Sequence, residues 1–243
     1  MKFRIVSAVL CFILISPQIL LAGIFDDLLK EIQEPSMKSL DEGTVASGLK
    51  EALSVGTATA VKLVSREDGY FGNEAIKILL PDKVQAVGEV LKKAGFGQEV
   101  DAFILSMNRA AEKAAPKAKD VFIGAIKEMS IQDANRILNG GDTAATDYFR
   151  TKTSQHLAEV FKPEISSSMN KVGVARHYKT LTERYFSLIP FASMESFDLD
   201  WYVTNKALDG LFHMVGQEEK KIRTNPAART TEILKTVFGK SNS

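Results

Sequence analysis

The stretch Glu195–Gly239, ESFDLDWYVTNKALDGLFHMVGQEEKKIRTNPAARTTEILKTVFG, decides the fold class. Leu199, Tyr202, Val203, Ala207, Leu208, Leu211, Phe212 and Val215 recur at three- and four-residue steps, the period of a helix with one apolar face. Core packing is the expected use of that stripe. Asp198 stands just before it and is expected to be the N-cap, because an Asp side chain accepts from the free amides of a first turn. Asp200 lies two residues on and points in a different direction, so the two acids do not read as a paired catalytic set. Asn225-Pro226 reads as a second cap followed by a first-turn proline. The stretch is therefore a long amphipathic helix, a capped break and a closing helix.

Its charges need separate accounting. Glu219 and Arg223 are spaced four apart and are expected to form a surface ion pair worth a few tenths of a kcal/mol. Arg223 just before the closing helix, and Arg229 one turn into it, oppose the helix dipole. An internal salt bridge to Asp198, Asp200 or Asp209 would explain them. So would an anionic ligand at the helix start.

The rest of the chain follows the same period. Helices are expected over Val45–Val64, from Pro81 to Ala94 with Gly95 as the cap, over Gly97–Lys113, and over Lys117–Met129 after a break at Pro116. The first carries a small-residue face of Ala46, Gly48, Gly56, Ala58 and Ala60, which lets another helix approach closely. Ser130 and Asp133 form a capping box for a short helix ending at Asn139-Gly140-Gly141. Thr143–Phe161 is helical, Pro163 is expected to interrupt it, and helix resumes from Ile165 until Pro190 stops it. Phe191–Phe197 reads as a hinge. Asp26–Glu34 is a short helical lead-in ended by Pro35. No alternating strand and no Asn-Gly hairpin signal occurs, and no fixed-period repeat marks a solenoid. The expected fold is all-α: one domain, a bundle of about eight to ten helices.

The N-terminus reads as an export signal. Lys2 and Arg4 precede the apolar run Ile5–Ile15, Pro17 breaks it, and Ala22 offers a small residue for cleavage. The run is too short to span a bilayer well. This gives a signal peptide over 1–22, a helical domain over 23–243, no membrane span after processing, and a periplasmic location. The one Cys, Cys11, lies in that segment, so the mature chain would hold no disulfide and would depend on a packed core. Losing Lys2 and Arg4 takes the formal charge from +1 to −1. That near-neutrality argues against nucleic acid as a partner.

Motif tests narrow the chemistry. The loop Arg66–Asn73, with Gly69 and Gly72 expected at positive φ, holds Tyr70 and Phe71 in a turn; they either plug the core or form a binding loop. Asp68 and Asn73 lack the alternating oxygen ligands of an EF-hand. Gly140-Gly141 leads into Asp142, a better N-cap than a phosphate partner, and lacks P-loop spacing. The three histidines, His156, His177 and His213, sit on separate expected helices without zinc-ligand spacing. Asp209 and His213 share a helix face, which suits an acid orienting a base but is also an ordinary surface contact. No nucleophile elbow is present.

Several segments together carry a family likeness. GLKEAL at Gly48–Leu53, the GYFGN loop, MSIQDA at Met129–Ala134, AATDYF at Ala144–Phe149, YVTNKALDGLF and IRTNPAARTTEILKTVFG resemble the bacterial domain of unknown function 4197 family. The resemblance spans essentially the whole mature chain. It implies a predominantly helical, exported protein. It implies no activity and transfers no functional residue.

The expected function is non-enzymatic. It is binding of a small apolar, amphipathic or anionic ligand, or of an envelope protein, with no cofactor and no metal. A hydrolase-like site built from Asp200, Asp209, His213 and Arg229 is the second reading, and a structural or assembly factor the third. The residues to watch are Asp68, Tyr70, Asp200, Asp209, His213, Arg223 and Arg229. The oligomeric state is not set by the sequence.

Overall fold

A computed structural model describes residues 41–172, 176, 177, 179–181, 183, 184 and 198–225. Its elements are α1 (Glu42–Ser65), α2 (Asp82–Lys93), α3 (Gly97–Ala114), a 3-10 turn (Ala115–Lys117), α4 (Ala118–Glu128), α5 (Ile131–Leu138), α6 (Ala144–Val172) and α7 (Leu199–Thr224). The fold is all-α, with seven α-helices among the described residues against the eight to ten expected. The export segment, the Asp26–Glu34 helix, the stop at Pro190, the 191–197 hinge, the Pro226 cap, the closing helix and Arg229 lie outside the described residues.

Local chemistry sets several helix ends. Gly95 at φ +92° follows α2; its N–H donates to Lys92 O and that of Phe96 to Leu91 O. These two bonds satisfy the last carbonyls of the helix, and the left-handed residue suits glycine. The Ser130 hydroxyl accepts from Asp133 N at 3.0 Å, while Ser130 N donates to the Asp133 carboxylate at 3.2 Å, so the capping box is complete. Asp198 accepts from Trp201 N at 2.9 Å and caps α7 as expected. Pro81 differs by one position: it is the N-cap itself, extended at ψ 144°, and α2 starts at Asp82. Pro116 sits in the 3-10 turn that joins α3 to α4.

Pro163 is the larger correction. It does not interrupt the helix; α6 runs through it to Val172. Proline removes one intrahelical hydrogen bond. Phe161 and Ile165 flank it fully buried, and that packing holds the helix continuous across the gap.

One hydrophobic core joins the described helices. α6 packs on α7 and α3, and α7 packs on α1. Phe122, Phe149 and Phe212, from α4, α6 and α7, meet edge to face at ring-centroid distances of 5.2 and 6.1 Å. The small-residue face of α1 works as its sequence implies: a Cβ on Gly56 would stand 3.3 Å from Ile222 Cδ1 of α7. Of the five small residues, only Ala58 points outward. No described helix is long and apolar enough to cross a membrane.

Candidate functional site

The loop after α1 is held from α3. Glu112, 4% exposed, accepts from Tyr70 N at 3.1 Å and Phe71 N at 3.2 Å through one carboxylate oxygen. Its other oxygen takes Arg109 at 2.7 Å, and Arg109 reaches Asp68 at 2.7 Å. One turn earlier on α3, Asn108 receives Ile78 N and donates to Ile78 O, both at 2.8 Å. A single side chain thus supplies the backbone pairing that a neighbouring strand would give. Tyr70 is fully buried, and its hydroxyl donates to Ala207 O at 2.6 Å. Burial, and then the Glu112 carboxylate, push that hydroxyl far above its ordinary pKa. Asp68, not a glycine, takes the positive φ, at 60°. Gly69 and Gly72 serve space instead, since a Cβ would stand 2.5 Å from Val64 O and 2.8 Å from Asp68 O respectively.

A second polar assembly joins three helices. Glu219 of α7 accepts from Ala145 N and Thr146 N at 2.9 Å each, and from the Thr146 hydroxyl at 2.8 Å. The two amides are free N–H groups of the first turn of α6. Arg223 binds Glu219 Oε1 at 2.9 Å and donates to Ile137 O at 2.7 Å, a free carbonyl of the last turn of α5. A carboxylate therefore meets the positive end of α6, and a guanidinium meets the negative end of α5. The pair is not the surface contact expected from its spacing; the two side chains are 5% and 12% exposed. Nor is Arg223 joined to Asp198, Asp200 or Asp209 by any of its identified bonds.

The remaining singled-out residues separate. Asp209 pairs with Arg150 at 3.4 Å, with both side chains largely exposed. The Arg150 guanidinium lies 4.6 Å from the Phe212 ring centroid. Asp209 and His213 line one shallow depression of about 280 Å³ with Lys206 and Lys77. Asp200 is on another face, nine residues back along α7. Asp200, Asp209 and His213 therefore do not converge. Among the described residues no group of three His, Cys, Asp or Glu side chains is placed to hold a metal ion.

Asp200 instead borders a recess between α6 and α7. About 540 Å³ in volume, it is lined by Gln155, Ala158, Glu159, Lys162, Pro163 and Ser166 of α6, and by Asp200 and Trp201 of α7. Trp201, the chain's single tryptophan, is 46% exposed. Lys162 lies 5.5 Å from the Trp201 ring centroid and 3.5 Å from Asp198. The Trp201 amide, and then Lys162, hold the Asp198 carboxyl below its ordinary pKa. The sequence carried a signal for this recess: Trp201 is missing from the apolar stripe of α7, so it had to face outward. A second, mixed-charge depression of about 630 Å³ lies between α4 and α6 and includes Tyr148, Lys152 and His156.

Comparison with known proteins adds a family. A family model described as "Protein of unknown function (DUF4197)" matches residues 39–239. No curated protein and no solved structure matches.

Proposed function

We propose that this chain, which belongs to the DUF4197 family of proteins of unknown function, is an exported, non-enzymatic binding protein whose ligand site is the Trp201 recess. The observation that carries the reading is a large aromatic ring left half exposed beside a concavity with Ala158 and Pro163 in its wall. Aromatic side chains at concave surfaces contribute disproportionately to recognition, and a pocket of this volume suits a small ligand. The buried ionisable side chains support the same reading. Glu112 bonds to loop amides, and Glu219 and Arg223 bond to helix termini and to each other, so they stiffen the scaffold. The periplasm is the compartment the N-terminal segment suggests.

The test is native mass spectrometry of the protein purified from the cells that make it, with Trp201→Ala purified in parallel. A reproducible small-molecule adduct on the wild type, lost in the variant, is the expected outcome. Ligand-free protein in both samples would overturn the proposal.

A further inference from the structure

We propose that the Trp201 recess takes an organic cation: an ammonium group, tertiary or quaternary, attached to an apolar body. The inference rests on the reading of the recess as a ligand site and adds the charge of the ligand. Three observations carry it. The wall contains an indole face, which attracts cations through its negative quadrupole. An ammonium already sits there, since Lys162 Nζ is 5.5 Å from the ring centroid. The charge left over in the wall is negative. Asp198 neutralises Lys162 at 3.5 Å, and Asp198 also answers the positive N-terminus of α7. Glu159 and Asp200 remain as wall carboxylates. The Glu159 carboxylate has Gln155 at 3.2 Å and His156 at 3.6 Å as its polar partners among the described residues, and Asp200 makes no ion pair among them. Ala158 and Pro163 supply apolar surface for the rest of the ligand. Lys162 is then an internal stand-in that an incoming ammonium displaces from the ring.

Because the chain has one tryptophan, its emission reports on this recess alone. The full-length processed protein is titrated with three probes of equal chain length: hexyltrimethylammonium, hexanol and hexanoate. The expected result is a saturable change in emission in which the cation binds about fivefold tighter than the alcohol, the advantage of one cation–π contact at an exposed ring. Hexanoate is expected to bind more weakly than both. Lys162→Gln should tighten the cation severalfold by removing its competitor, while Asp200→Asn and Glu159→Gln should each weaken it. Equal binding of cation and alcohol would overturn the charge assignment and leave the ligand site standing. Weaker cation binding in Lys162→Gln, or preference for hexanoate, would also overturn it. No saturable response to any probe would overturn both the assignment and the site.

Discussion

Replacing Glu219 by alanine removes one carboxylate and leaves groups on two helices unsatisfied at once. Ala145 N, Thr146 N and the Thr146 hydroxyl lose their acceptor, and Arg223 loses its counter-charge while keeping the Ile137 carbonyl. Removing one partner of a buried ion pair costs about 3–5 kcal/mol, because the other charge stays buried. The two side chains are 5% and 12% exposed, so solvent screening discounts little of this. For a domain of this size the change corresponds to a fall in Tm of about 6–20 °C. Glu219→Gln keeps an acceptor for the α6 amides and should cost less, about 1–2 kcal/mol. The double variant Glu219→Met with Arg223→Met should cost less than the sum of its parts, with a coupling of about 2 kcal/mol. Urea denaturation followed by far-ultraviolet circular dichroism measures all three. If Glu219→Ala falls within about 0.5 kcal/mol of wild type, as an exposed substitution does, with an unchanged denaturant slope, the reasoning fails.

The glycines give a paired prediction. Gly210→Ala would place a Cβ 2.6 Å from Tyr70 Cε1 and 3.1 Å from Ile76 Cβ, so overpacking of about 1–3 kcal/mol outweighs the gain in helix propensity. Gly124→Ala meets nothing within 4 Å and should stabilise by about 0.5–1 kcal/mol; thermal melts of both variants check the opposite signs. Asp198 has a folded pKa below its unfolded one, so its contribution is complete above the unfolded value and is lost as pH falls through the folded one. Trp201 emission should therefore shift in acid below the usual aspartate value of about 3.9, and Asp198→Asn should abolish that transition. Tyr70 has the reverse sign: its raised pKa gives stability present below the unfolded value of about 10 and lost as pH rises beyond it. In an alkaline absorbance titration, its tyrosinate should appear only together with loss of helix. Reversible titration of all five tyrosines in the intact fold would refute the burial argument.

Helix ends written in adjacent residues were legible. Ser130 with Asp133, Gly95 after α2, and Asp198 before Trp201 form caps whose partners lie within a few positions. Apolar period located the longer described helices, because burial repeats with the helix itself, while the short α5 was located by its caps. Pro163 misled because a proline's local penalty was outweighed by Phe161 and Ile165, whose burial depends on other helices. Glu219 misled for a similar reason. Its i,i+4 relation to Arg223 is local, but its α6 partners are 73 and 74 residues away, and nothing in the sequence gives that distance. Asn108 and Glu112 did carry a clue, being one turn apart on the row that continues from Ile104. Their polarity hid it, since buried polar residues look like surface until the amides they serve are known. The candidate site was the least legible part. Asp209 and His213 do share a depression, whereas Asp200 belongs with Trp201, and α6 contributes most of that recess.

The bonds made by α7 bear on the order in which the chain can be completed. Synthesis delivers α1 to α6 first. At that stage the start of α6 and the end of α5 lack the carboxylate and guanidinium that close them, and the Tyr70 hydroxyl lacks its carbonyl. Those partners arrive only with residues 207, 219 and 223, across sequence separations of 73 to 137 residues. Closing such long loops is entropically unfavourable before the contacts form, and topologies rich in distant contacts fold slowly. α7 acts as a keystone: without it the helices before it lack the partners that close the bundle, so cooperative folding waits for the last described helix.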